Sequence, residues 1–241
     1  MTRRLIAIAA AALAATACNV GGNAEERDVG STVNRTYQLG AFDKIEVAGP
    51  YQVTVTTGGA PGASATGGDK LLDETEVIVE GDTLKIRPKK KNGIRWNWGK
   101  QGKAQFTVTT TMLRGAGIAG SGGISVDKVV GDFKGEVAGS SNLQLAAVNG
   151  GAVEFAIAGS GKVGAAGKAA STKVEIAGSG DVDASGLAAK TADVSIAGSG
   201  NVRANASDTA KVEIVGSGNV TISGGAKCSI DKAGSGNVTC G

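Results

Sequence analysis

The chain has 241 residues, 40 of them Gly, with 3% aromatic residues, no His and a formal charge of +3. So few aromatic side chains exclude a broad aromatic-packed core, and the absence of His excludes Ser-His-Asp, Cys-His and His-metal chemistry. A Gly-rich chain without a strict G-X-Y period is not collagen, and a charge near zero selects no partner by itself.

Residues 1–18, "MTRRLIAIAAAALAATAC", read as a signal peptide. Arg3 and Arg4 give a positive start, Leu5 to Ala14 form an apolar stretch too short for a bilayer, and Ala15 and Ala17 suit a signal peptidase. Ala15-Thr16-Ala17-Cys18 resembles a bacterial lipobox, with Ala15 where Leu is usual. That resemblance implies lipidation of Cys18 and firm anchoring by more than one acyl chain. Plain cleavage to a soluble periplasmic protein is the alternative. Residues 19–35 are polar and Gly-rich, and read as a flexible tether.

Residues 36–115 alternate apolar and polar in "KIEVAG", "YQVTVTTG", "TEVIVEGDTLKIRP" and "QFTVTTT". Alternation at period two is the mark of a strand. The stretch around Asp82 reads as a hairpin or a coil turn between two of them.

From residue 116 a repeat takes over. Gly-Ser-Gly or Gly-Ser-Ser triplets begin at Gly120, Gly139, Gly159, Gly178, Gly198, Gly216 and Gly234. Aligned on the triplet, Ile118, Val137, Ile157, Ile176, Ile196 and Ile214 form one apolar column. Phe155, Val174, Val194, Val212 and Ile230 form a second, and Ile124, Leu143, Val163, Val182, Val202, Val220 and Val238 a third. The residues between them, such as Glu175, Ser195, Asp183 and Arg203, are polar. A fixed period with alternation inside it predicts an all-β fold, a right-handed parallel β-helix (β-solenoid) with 18–20 residue coils. Each column becomes an inward ladder, and the triplet is the corner every coil must turn. Asn142, Asp181, Asn201, Asn219 and Asn237 follow the corner and can stack as an amide ladder.

The last coil departs from this pattern, with Lys232 in the Ile column. Cys228 continues the inward column Phe133, Val153, Thr172, Ala192 and Ala210, and Cys240 is read as inward in the same coil. In an oxidising compartment a Cys228–Cys240 disulfide would close that coil; two buried thiols are the other reading.

The order "GAFDKIEVAGPYQVTVTTG", "LLDETEVIVEGDTLKIRP", "FTVTTTMLRGAGIAGSGGISV" and then Gly-Ser-Gly coils resembles the bacterial head GIN domain family over about residues 37–241. The resemblance implies an exported or lipid-anchored β-solenoid labelled as an auto-transporter adhesin, in the periplasm or at the cell surface.

The search for chemistry finds little. The repeated Ser121, Ser160, Ser179, Ser199, Ser217 and Ser235 lie outside any G-x-S-x-G elbow and serve corner geometry. Asp181 and Asp183 face out together and read as solvated surface rather than a Ca²⁺ site. No metal or cofactor is expected. One stretch stands out: "KIRPKKKNGIRWNWGKQGK", residues 85–103. Lys85 and Arg87 are followed by Lys89, Lys90, Lys91, Arg95, Lys100 and Lys103, with Trp96 and Trp98 among them. No acid lies between Asp82 and Asp127. Cations beside Trp suit anionic headgroups, lipopolysaccharide phosphates or acidic glycans. A hairpin whose Trp pair packs on a neighbour and whose charges keep an edge soluble is the competing reading.

The sequence therefore predicts a non-catalytic binding or structural module of the cell envelope. A β-helix carbohydrate-active enzyme and an anionic glycan- or lipopolysaccharide-binding periplasmic protein are the alternatives. The expected partners are a membrane through lipidated Cys18, a glycan, lipopolysaccharide or protein ligand, and further copies in a homo-oligomer. Nucleic acid is not among them, because the chain is exported.

Overall fold

The computed structural model describes residues 28–89 and 104–241. In chain order the N-terminal strands are β1 (Thr32–Gln38), β2 (Lys44–Ala48), β3 (Gln52–Thr57) and β4 (Gly62–Gly68). A short helix α1 (Asp69–Asp73) leads into β5 (Thr75–Glu80), β6 (Thr83–Pro88) and β7 (Gln105–Thr110). Then come β8 (Gly115–Gly120), β9 (Gly123–Val126), β10 (Val129–Val130), β11 (Phe133–Gly139), β12 (Asn142–Asn149), β13 (Ala152–Gly159) and β14 (Lys162–Lys168). The chain finishes with β15 (Ser171–Gly178), β16 (Asp181–Gly198), β17 (Asn201–Gly216), β18 (Asn219–Ser223), β19 (Lys227–Gly234) and β20 (Asn237–Cys240).

These strands stack in parallel as the layers of a β-solenoid. Layer 1 is β6 with β7, layer 2 is β2 with β3, and layer 3 is β8 with β9. Layers 4 and 5 are β11 with β12 and β13 with β14. Layer 6 is β15 with the start of β16, layer 7 the rest of β16 with the start of β17. Layer 8 completes β17 and adds β18; layer 9 is β19 with β20. Layers 3 to 9 are the regular turns, about seven in number. The first strand of each layer builds the first face of the solenoid, and the strand after the corner builds the second.

The inward ladders match the apolar columns. Ile118 pairs with Val137, Val137 with Ile157, Ile157 with Ile176, Ile176 with Ile196 and Ile196 with Ile214. All six are buried. The ladder runs further back than the repeat does: Val47 of β2 pairs with both Ile118 and Ile86. Stacked aliphatic rows at one-strand spacing of ~4.8 Å fill a narrow interior without aromatic side chains. At the corners a backbone bond repeats, with Ser199 N–H donating to Gly178 O at 2.8 Å and Ser217 N–H to Gly198 O at 2.9 Å.

The layer order is not the chain order. The first coil made, β2–β3, ends up sandwiched between β6–β7 and β8–β9. The detour through β4, α1 and β5 builds an end cap. β5 lies antiparallel on the outer edge of β6, forming a hairpin around Asp82; β4 lies antiparallel on β7, and β1 on β4. Helix α1 buries Leu71 and Leu72 beneath this cap. Tyr51 fills the corner of layer 2, edge-on to Phe106 with centroids 5.5 Å apart. Its hydroxyl meets Thr75 Oγ1 at 3.0 Å, and Thr75 in turn donates to Leu71 O at 2.8 Å. The buried phenol thus has a partner, and the cap is pinned to the stack.

At the other end, layer 9 has a layer on one side only among the described residues. This corrects two inward assignments. Ile230 and Cys240 keep the register of their columns, opposite Val212 and Ile222, yet both are exposed because no layer covers them. Cys228 is half-buried, and a Cys228–Cys240 disulfide crosses the mouth of the coil. Lys232 occupies the Ile column there, and its ammonium donates to Gly236 O at 2.8 Å. A Cys228→Ser/Cys240→Ser variant is expected to lose up to about 3 kcal/mol of local stability in the last coil, from the loop closed by the bridge. Amide exchange should speed up in β19 and β20, while Ile176 and Val194 amides stay protected. Unchanged exchange in β19 would show that the bridge adds nothing to that coil.

Candidate binding surface

The first face carries three outward columns. In the column beside the corner, Ala48, Ala119, Ala138, Ala158, Ala177 and Ala197 stack in register and Val215 follows. Small side chains here let successive corners approach; Val215, 65% exposed, shows that the row also presents methyl groups to solvent. In the middle column, large and small residues alternate: Glu46, Gly117, Glu136, Ala156, Glu175, Ser195, Glu213. The outermost column alternates in charge: Lys134, Glu154, Lys173, Asp193, Lys211.

Ion pairs lie along single strands, where alternate residues share a face. Lys134 meets Glu136 at 2.8 Å, Lys173 meets Glu175 at 2.7 Å and Lys211 meets Glu213 at 2.6 Å. The carboxylate hydrogen bonds hold all three ammonium groups above the ordinary lysine range. Reciprocally, Lys173 holds the Glu175 carboxyl below its usual range. These pairs are exposed, so each adds little stability.

A groove of about 640 Å³ follows this face from Lys85 and Arg87 to Ser195 and Ala197, with Glu136 and Glu175 on its wall. A glycosidase-type general acid needs a carboxyl pushed up toward neutral pH. Glu175 is pushed the other way, in open contact with an ammonium. Among the described residues, no group of three or more His, Cys, Asp or Glu is placed to hold a metal ion.

On the second face, part of the amide ladder forms. Asn219 Nδ2 donates to Asn201 Oδ1 at 3.0 Å, and Asn201 Nδ2 donates to Asp181 Oδ1 at 2.9 Å. Asp183 accepts from Ser185 N–H and Oγ, at 3.2 Å and 2.6 Å, which holds its carboxyl down. Asp181 and Asp183 thus each engage one carboxylate oxygen, Oδ1, with protein donors.

Of the basic stretch, Lys85, Arg87 and Lys89 are placed, while Lys90, Lys91, Arg95, Trp96, Trp98 and Lys100 lie outside the described residues, as does Cys18. The start of the stretch is less cationic than its sequence. Across the β5–β6 hairpin, Lys85 meets Glu80 at 2.7 Å, and Arg87 meets Glu76 at 2.7 Å and Glu80 at 2.9 Å. Lys89 is exposed, with its ammonium on Asp73 O at 2.6 Å. The alternating first face is not evident from the inward columns; its signal in the sequence is the recurring Lys-x-Glu at 134–136, 173–175 and 211–213.

Comparison with known proteins places these features in context. The family described as "Putative auto-transporter adhesin, head GIN domain" matches residues 41–226. No curated protein matches the chain. Among solved structures, one described as a "putative adhesin" from Bacteroides fragilis superimposes with a TM-score of 0.79 at 22% identity, covering 87% of this chain and 97% of that one. A "putative lipid binding protein" from Parabacteroides distasonis reaches 0.72 at 25% identity over 88% of this chain and 97% of its own. A "putative adhesin" from Parabacteroides merdae reaches 0.64 at 17% identity over 88% and 97%.

Proposed function

This chain belongs to the head GIN domain family, and from that premise we propose that it is a non-catalytic binding module of the cell envelope, of the adhesin type. The observation that carries the reading is the stack itself: one rigid ladder from layer 1 to layer 9, whose outward side chains recur at layer spacing. Repeating surfaces of this kind suit extended or repetitive ligands, because the same contacts recur along the stack, every second layer on the first face.

The chain is exported, tethered by residues 19–35 and held through lipid on Cys18. Its basic, Trp-bearing segment 89–103 meets anionic envelope material, such as lipid headgroups, lipopolysaccharide phosphates or acidic glycans. Net cationic charge with interleaved Trp supports this. The description of one structural relative as a lipid-binding protein agrees with it.

The test is sedimentation of the chain with anionic vesicles, lipopolysaccharide and an acidic polysaccharide, at low and high salt. Binding is expected at low salt, weakened by high salt, and reduced at least about tenfold in Trp96→Ala/Trp98→Ala, since each interfacial Trp contributes of order 1 kcal/mol or more. Binding that ignores both salt and the double substitution would assign the contact to another surface.

A further inference from the structure

We propose that the first face docks a second copy of this chain, face to face, with the layers of the two copies running in opposite order and layer 4 of each lying on layer 5 of the other. The two-layer alternation of that face sets the pairing, independently of the ligand proposed for segment 89–103.

A half-turn about an axis along the strands, midway between layers 4 and 5, keeps each column facing itself and reverses the layer order. In the outermost column it sets Lys134 against Glu154 and Lys44 against Asp193; in the middle column it sets Lys85 against Glu213. The same operation fits large to small. Glu136 meets Ala156, Glu175 meets Gly117, and Glu46 meets Ser195. Beside the corner, Ala138 lies on Ala158, Ala119 on Ala177, and Ala48 on Ala197. Across the eight overlapping layers no like charges meet.

Two alternative arrangements set like charges together. Moving the axis onto layer 4 sets Lys134 on Lys134 and Glu136 on Glu136. A half-turn about the solenoid axis sets Glu136, Glu175 and Glu213 each on its own copy. Complementary charge thus requires odd layers to lie on even ones, like charges reject these two alternatives, and the axis between layers 4 and 5 overlaps eight layers with no like charges meeting.

The size is adequate. Eight layers at ~4.8 Å and strands of seven residues at ~3.3 Å cover roughly 800 Å² per copy, the usual share of a stable interface. The exposed Ala row supplies the apolar part of the contact. The ion pairs already made within each strand are shared across the interface, so they set register more than they add affinity.

The test uses the full chain in density-matched detergent, followed by sedimentation equilibrium. The parent is expected to associate reversibly to a dimer. Lys134→Glu sets two carboxylates against each other twice per dimer, and Glu154→Lys sets two ammonium groups together twice. Each variant alone is expected to associate at least about tenfold more weakly. Mixed in equal amounts, the two restore both attractive contacts and regain parent-like association as a one-to-one heterodimer. Both side chains are at the surface, and circular dichroism checks that each variant is folded. A parent that stays monomeric, single variants that dimerise like the parent, or a mixture that fails to regain association would each overturn the proposal.

Discussion

Ile196→Asp is expected to abolish the cooperative melting of the coil stack. Ile196 is 1% exposed and stands in the ladder between Ile176 of the layer below and Ile214 of the layer above. Its Cγ2 lies close under the Gly218 corner, so there is no route by which a carboxylate could turn to water without opening that corner. The substitution removes an aliphatic side chain whose burial contributes ~1.5–3 kcal/mol. It also leaves a polar group without a partner, which costs a further ~2 kcal/mol or more even if the carboxyl takes up a proton. A loss of about 4–5 kcal/mol is comparable with the whole stability of a modest domain.

The location enlarges the effect. In a solenoid each layer is held mainly by its neighbours, so stability is close to a sum of nearest-layer terms. A lesion in layer 7 uncouples layers 8 and 9 from the rest. The conservative Ile196→Val, by contrast, should cost only about 1 kcal/mol. Thermal melts followed by circular dichroism distinguish the two. A parent-like melting curve for Ile196→Asp would show that this column does not point inward.

The Ile column was legible in the sequence because two independent periods agree on it. Alternation at period two says which residues point inward, and the recurring corner says which of them share a layer. Once both are fixed, the pairing of Ile176 with Ile196 and Ile214 follows. The position of β2–β3 was not legible. "KIEVAG" announces a strand with Ile45 and Val47 inward, yet nothing in it says that Val47 will stack on Ile86 as well as on Ile118. Neighbour choice there is set by long-range packing of the cap, where Tyr51, Phe106 and Thr75 meet from distant parts of the chain. Layer 9 shows the converse limit: register placed Ile230 and Cys240 in their columns, but burial requires a covering layer as well as a column.

The candidate surface was half legible. The basic run is visible in the sequence, but its net charge depends on strand pairing, since Glu76 and Glu80 reach Lys85 and Arg87 only across the hairpin. A hairpin about Gly81 in "TEVIVEGDTLKIRP" already implies those partners, because strand register in a tight hairpin is set by its turn. The alternating first face needed one further step, reading the outward residues down the layers. Lys134, Glu154 and Lys173 are far apart in sequence and become neighbours only in register.

Gly198→Ala is expected to cost about 3 kcal/mol or more, well beyond the ordinary effect of a loop glycine. Gly198 has φ +136°, a conformation that L side chains rarely adopt. An added Cβ would fall against Gly178 O, deep inside contact distance. That carbonyl accepts the Ser199 N–H bond that closes the corner, so relieving the clash means giving up the bond. Backbone strain of ~1–3 kcal/mol and a lost corner hydrogen bond of ~1 kcal/mol therefore add. The next corner repeats the constraint, since a Cβ on Gly216 would fall against Gly198 O. Gly58 is the control: its φ is +93°, but nothing lies within 4 Å of an added Cβ. Gly58→Ala pays the backbone strain alone, about 1–2 kcal/mol. Urea melts of the two variants separate strain from stacking. A clearly larger loss at Gly198 means that each corner rests directly on the one below. Equal losses would mean that the corners are free of one another, and that the Gly-Ser-Gly repeat reflects turn geometry alone.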